Sequence, residues 1–161
     1  MVKKYIPNTI TCLNLFSGCL GIVYAFQGEL KYASIAILVA AIFDFFDGIV
    51  ARVLLVYSDI GWELDSLADV VGFGLLPAVI VYQLFLKAPQ VPCLGSYFGF
   101  SAFLIATFSA LRLAKFNVDT RQSENFIGLP TPANALLVAS LPMIIAEGSV
   151  CLSSFILNPF F

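Results

Sequence analysis

The chain has 161 residues, 60% of them hydrophobic and only 11% charged, with a formal net charge of −2 and a mean hydropathy of +0.97. Soluble domains are nearer half apolar and a quarter charged, so this composition excludes one. It reads instead as an all-α, polytopic transmembrane helical bundle forming a single domain over residues 1–161, with no nucleic-acid partner expected.

A first span is expected over Ile6–Phe26, polar at its start in Pro7-Asn8-Thr9-Ile10-Thr11. Met1-Val2-Lys3-Lys4 ahead of an apolar run imitates a signal peptide. No small-residue cleavage site follows and further spans do, so the run is read as a membrane helix. After the turn Gln27–Lys31, a second span covers Tyr32–Leu55 and carries Asp44, Asp47 and Arg52 in its second half. Val56–Gly61 is a tight polar loop. A third span, Trp62–Leu86, carries Asp65 and Asp69 in its first half.

Lys87–Ser96 is a loop containing Pro89 and Pro92, and Tyr97–Leu113 is a fourth span closed by Arg112-Leu113-Ala114-Lys115-Phe116-Asn117. The polar stretch Val118–Pro132 leads to a fifth span, Ala133–Ala146. Ser149–Phe161 is apolar but short of the roughly twenty residues a crossing needs, and reads as an incomplete sixth span or a re-entrant end of a truncated chain.

With the N-terminus inside, Lys3, Lys4, Arg52, Arg112, Lys115 and Arg121 face the cytoplasm, and only Lys31 and Lys87 face the other side. That bias fits the positive-inside rule and places the acidic window at the cytoplasmic ends of spans two and three. The cysteines Cys12, Cys19, Cys93 and Cys151 show no close pairing and are expected as small buried hydrophobes. With no histidine and no thiol cluster, a zinc site is not expected.

The chemistry concentrates in Asp44-x2-Asp47-Gly48-x2-Ala51-Arg52-x8-Gly61-x3-Asp65-x3-Asp69. Ionisable groups at membrane depth are costly and point to function. Asp44 and Asp47 share a helix face, with Ala51 one turn on, while Gly48 and Arg52 form an adjacent stripe. Gly61, Asp65 and Asp69 make a four-spaced ladder on the next helix, and a short loop makes the two helices antiparallel neighbours. Unpaired carboxylates this close repel. Two divalent cations cancel that charge, and all-oxygen ligation suits Mg²⁺, Mn²⁺ or Ca²⁺. Such a pair is a clamp for phosphoryl transfer. Gly48 and Gly61 allow close approach of a ligand or backbone, and Arg52 can grip a phosphate. Asp69 or Asp65 is the natural general base. The bland readings are structural polar contacts, a proton relay or a cation path.

All eight defining positions of the pattern (Asp44, Asp47, Gly48, Ala51, Arg52, Gly61, Asp65, Asp69) resemble the signature of the CDP-alcohol phosphatidyltransferase family. The resemblance implies a six-helix membrane core with a pocket facing the cytoplasm, the last helix here incomplete. It also implies transfer of a substituted phosphate from a CDP-linked donor to an alcohol with release of CMP, and a homodimer. By the same resemblance Asp44, Asp47, Asp65 and Asp69 bind two ions, Mg²⁺ or Mn²⁺, with Asp69 also the base. Gly48, Ala51, Arg52 and Gly61 lie around the CDP moiety.

Outside the motif, Ile6-Pro7-Asn8, Asn14-Leu15-Phe16-Ser17-Gly18, Leu64 to Gly74, Arg112 to Asn117, and Phe126 to Pro132 are similar to the integral-membrane phosphatidylserine synthases, a branch of that family. This implies CDP-diacylglycerol as donor, L-serine as acceptor, and a prokaryotic cell membrane as location. Arg112, and with it Lys115, is the candidate for the acceptor's carboxylate or a lipid phosphate, or else only a topology determinant. Asn8 and Thr11 touch the nucleotide or cap the first helix. Ser17-Gly18 and Gly72-Phe73-Gly74 serve packing or substrate. Trp62 reads as an interfacial anchor, and Glu63 is left out of the site. Two rivals stay open: the same chemistry with glycerol phosphate or inositol phosphate as acceptor, and a carboxylate-lined cation transporter.

Overall fold

The computed structural model describes residues 5–56, 58–87, 98–118 and 129–146. Helix α1 runs over Tyr5–Phe26 and α2 over Leu30–Val53. Gly28 makes the reversal between them at φ +84°. Around it, Glu29 N–H donates to the Tyr24 carbonyl at 3.0 Å and Gly28 N–H to that of Ala25 at 3.1 Å. This left-handed cap favours a residue without Cβ. The end of α2 repeats the device with Leu55 at φ 50° and Val56 N–H on the Ala51 carbonyl at 3.1 Å.

Helix α3, Asp59–Asp69, is capped by Ser58, whose Oγ accepts from Gly61 N–H at 3.1 Å. Gly61 therefore belongs to the first turn of α3, not to the loop expected before it. The third span is also not one regular helix. A π-helical segment, Val70–Leu75, separates α3 from α4, Leu76–Lys87. Pro77, buried in the first turn of α4, has no N–H for the carbonyl four residues back, and its ring crowds that carbonyl. The wider turn accommodates both effects, and π segments of this kind commonly sit at functional sites.

A 3₁₀ turn, Gly99–Ala102, opens the next span, and α5 follows over Phe103–Val118, longer than expected at its C-terminal end. Helix α6 covers Thr131–Ala146, with Pro142 inside it. Among the described residues there is no strand. The first two spans, the α3–α4 unit and the span Gly99–Val118 are each long and apolar enough to cross a membrane, while α6 is shorter. The expected incomplete last helix, residues 88–96 and 119–128 of the two Pro-containing loops, Lys3, Lys4, Arg121, Cys93 and Cys151 lie outside the described residues, while Thr131 and Pro132, expected in the second loop, open α6.

The packing is that of a membrane protein. On α1 the buried residues Pro7, Thr11, Asn14, Gly18, Gly21 and Ala25 alternate by four and three, a single stripe of small or polar side chains. Small residues let helices approach closely where lipid supplies no hydrophobic drive for association. Large apolar side chains such as Phe16, Phe45, Leu67 and Leu137 point outward instead. Cys12 and Cys19 are exposed on this outer surface, contrary to their expected burial. They lie off the stripe that α1 turns to its neighbours.

Helix α1 packs mainly on α2 and reaches α3, the π segment and α4, while α6 packs on α2 and the π segment contacts α5. The core joins Ile37 and Ala40 to Phe73, Leu76, Ile80 and Ala135. A Cβ on Gly18 would stand 3.1 Å from the Gly72 Cα, so α1 and the π segment touch backbone to backbone. A Cβ on Gly21 would stand 2.9 Å from that of Ala36 and 2.5 Å from a Leu76 methyl. Gly21→Ala is therefore expected to destabilise the bundle by about 1–3 kcal/mol, the range for overpacking, read as a lower thermal midpoint in detergent. An unchanged midpoint would show that α1 shifts without cost.

Candidate active site

The acidic residues meet where the C-terminal half of α2, the whole of α3 and the N-terminal half of α1 converge. One carboxylate oxygen from each of Asp44, Asp47 and Asp65 lies within 4.8 Å of the others. Asp69 completes the group from the last residue of α3, with its carboxyl beside that of Asp44. The two helices thus bring together all four carboxylates that the spacing placed on facing surfaces.

The four differ in setting. Asp47 is 6% exposed and turned toward α1, where the Thr11 hydroxyl donates to its Oδ2 at 2.7 Å. Thr11 Oγ1 also lies 3.1 Å from the Pro7 carbonyl. Asp44, Asp65 and Asp69 line a cavity of about 1140 Å³ instead. The Oδ1 atoms of Asp65 and Asp69 are buried without a hydrogen-bond partner. Buried acceptors left this way are costly, and clustered carboxylates repel. A hard, oxygen-seeking divalent cation answers both conditions, so the residues fit one.

The basic groups occupy the same cavity. Arg52 from α2 and Arg112 and Lys115 from α5 line it, together with Trp62, Ser66 and Asn117. The other two described lysines belong to the opposite end of the helices: Lys31 is in the first turn of α2, and Lys87 Nζ donates to the Gly28 carbonyl at 2.9 Å. Trp62, expected only as an interfacial anchor, forms part of the cavity wall. Ser66 and Asn117 are not site residues that the sequence pattern marks, although both fall in the stretches similar to phosphatidylserine synthases. The only trace in the sequence was their position beside Asp65 and Lys115.

The small residues separate into two kinds. A Cβ on Gly61 would stand 2.9 Å from the Asn8 side-chain oxygen, so Asn8 and Gly61 are in contact where α1 crosses α3. A Cβ on Gly48 would meet nothing within 4 Å. Gly48 lies one turn from both Asp44 and Arg52, on the stripe whose two ends line the cavity. Ala51, one turn beyond Asp47, is half-buried. Asn14 is fully buried one turn past Thr11, and its side-chain oxygen would lie 3.5 Å from a Cβ on Gly72.

Fold and site together define an integral membrane protein, an all-α bundle with a four-carboxylate cluster fit for divalent cations at the edge of a cavity lined by basic side chains. The family model for CDP-alcohol phosphatidyltransferase matches residues 4–159, and the chain belongs to that family. It is 40% identical over 134 residues to the CDP-diacylglycerol–serine O-phosphatidyltransferase of Helicobacter pylori strain J99, covering 82% of this chain and 54% of that protein. It is 35% identical over 155 residues to the Bacillus subtilis protein of the same name, covering 93% of this chain and 85% of that one. An archaetidylserine synthase of Methanothermobacter thermautotrophicus is 36% identical over 137 residues, with 84% of this chain and 56% of that one covered. The chain thus spans about half the length of the Helicobacter and Methanothermobacter relatives, and most of the Bacillus one.

Proposed function

We propose that the chain, as one domain over residues 1–161, transfers the phosphatidyl group of CDP-diacylglycerol to the hydroxyl of L-serine, giving phosphatidylserine and CMP. The observation that carries this reading is the convergence of the Asp44, Asp47 and Asp65 oxygens within 4.8 Å beside a cavity that also holds Arg52, Arg112 and Lys115. Carboxylates to hold cations and cations to hold phosphate and carboxylate are what a substituted-phosphate transfer between anions requires. The names of the Helicobacter and Bacillus relatives support serine as acceptor.

Two divalent ions, Mg²⁺ or Mn²⁺, would be held by Asp44, Asp47, Asp65 and Asp69, and when bound they neutralise phosphate oxygens and the charge developing on the leaving group. Arg52 grips a donor phosphate, and Gly48 leaves room for the nucleotide, with Ala51, Gly61 and Asn8 around it, while Thr11, first expected there, supports Asp47 instead. Asp69, with Asp65 beside it, takes the proton of the serine hydroxyl. The serine oxygen then bonds to the diacylglycerol-linked phosphorus, the bond from that phosphorus to the CMP oxygen breaks, and CMP leaves. Arg112 and Lys115 hold the acceptor's carboxylate. The basic residues around the cavity face the cytoplasm of a prokaryotic cell, while the donor's acyl chains remain in lipid. The homodimer implied by family resemblance belongs to the same reading and is checked by crosslinking in native membranes.

Protein in detergent with CDP-diacylglycerol and serine is expected to form phosphatidylserine and CMP in equal amounts. CMP release indifferent to serine would move the reading to another acceptor, and no CMP at all would favour cation transport. Thr11 gives a separate test. Thr11→Val keeps the side-chain shape and removes the donor to Asp47. Partners that orient a metal ligand are worth about 10- to 100-fold in affinity. The Mn²⁺ concentration that half-saturates thermal stabilisation should rise by that factor, and an unchanged midpoint would show that Asp47 needs no such support.

A further inference from the structure

Asn117 stands on the last turn of α5 and Ser66 on α3, immediately after Asp65, and both line the cavity. Asn117 Nδ2 donates to Ser66 Oγ at 2.9 Å, and Ser66 Oγ donates to the Trp62 carbonyl at 3.2 Å. A hydroxyl has one proton. With that proton on Trp62, Ser66 offers Asn117 only a lone pair, so the amide nitrogen must face Ser66. The amide oxygen is thereby fixed as a hydrogen-bond acceptor on the side away from Ser66. It lies in the same wall as Arg112 and Lys115, which are five and two residues earlier on α5.

We infer that Asn117, held by Ser66, is the specificity residue that accepts a hydrogen bond from the ammonium group of the acceptor. The inference rests on the proposed serine-dependent transfer. An amino-acid acceptor presents three groups, and the cavity offers a match for each. Arg112 and Lys115 suit its carboxylate, the Asp65–Asp69 edge suits its hydroxyl, and a neutral oxygen suits its ammonium. Carboxylates engaged with divalent cations are poor partners for another cation, whereas an amide oxygen keeps its lone pairs. A phosphorylated polyol has no ammonium group to offer this acceptor. The same geometry therefore discriminates between acceptors of one reaction.

The test measures CMP release with L-serine and with 3-hydroxypropanoate, which keeps the hydroxyl and carboxylate and lacks the ammonium. Asn117 is exposed, so its replacement by Ala removes little packing. Asn117→Ala should raise KM for serine about 10- to 100-fold, the range for a hydrogen bond to a charged group, and leave kcat and the KM for 3-hydroxypropanoate nearly unchanged. Ser66→Ala, which frees the amide without deleting it, should shift the ratio of the two KM values in the same direction by less. An equal loss with both acceptors would overturn the inference and make Asn117 a prop between α5 and α3. An unchanged serine KM would overturn it as well, leaving the ammonium to the carboxylates. Wild-type protein that releases no CMP with serine would overturn the functional reading together with this inference.

Discussion

Asp69→Asn is expected to leave a folded protein whose turnover falls by about 10²- to 10⁴-fold, the usual contribution of a positioned general base. Asn matches Asp in shape, and Asp69 Oδ1 has no hydrogen bond to lose. What disappears is the carboxylate that, in the proposed reaction, takes the serine proton at the cavity edge. The same assay separates this role from cation binding. Asp44, Asp47 and Asp65 form the tight group of oxygens, and Asp69 stands beside it. Asp44→Asn should therefore abolish both turnover and stabilisation by Mn²⁺, while Asp69→Asn should keep part of the stabilisation. Near-normal turnover in Asp69→Asn would remove its assignment as base.

Gly48→Ala should produce the opposite pairing of effects: a protein at least as stable as the parent, with kcat/KM for CDP-diacylglycerol reduced on the order of 10²-fold. Glycine inside a helix costs roughly 0.5–1 kcal/mol relative to alanine. No neighbour explains that cost here, because a Cβ at this position meets nothing within 4 Å. On the proposed reading, the space is left for a ligand lying against the Asp44–Gly48–Arg52 stripe. A misplacement of about 1 Å at a reacting centre costs about that factor in rate. Stability and kcat/KM are read on one purified sample. A variant that is both stable and fully active would show that nothing approaches Gly48.

The site was legible in the sequence to the extent that it depends on helical periodicity and on charge in an apolar setting. The four-spaced ladder from Gly61 to Asp69 and the pair Asp44 and Asp47 need only two antiparallel helices to meet, and α2 and α3 supply them. The sorting of basic residues was legible too, since Arg52, Arg112 and Lys115 surround one cavity while Lys31 and Lys87 belong to the other end.

The split within the acidic pair was not visible, because residues three apart share a face only loosely. Asp44 turns to the cavity, whereas Asp47 turns to Thr11 on α1. The bond from Thr11 to Asp47 is not legible either, since a polar residue near a helix start does not announce a partner 36 residues away. The π segment also escaped the hydrophobic pattern, which does not register one extra residue in a turn. Pro77, two residues past the end of that segment, was its sequence signal. The exposure of Cys12 and Cys19 is not legible in the sequence, because an apolar environment can be lipid as well as protein core.

The most direct test is serine-dependent CMP release by protein freed of metal with a chelator, assayed before and after return of Mn²⁺ or Mg²⁺. The expected result is no release without the ion, recovery on its return only when serine and CDP-diacylglycerol are both present, and no recovery in Asp44→Asn. Full release in the presence of chelator, or recovery in Asp44→Asn, would contradict a carboxylate-held cation site as the seat of the reaction.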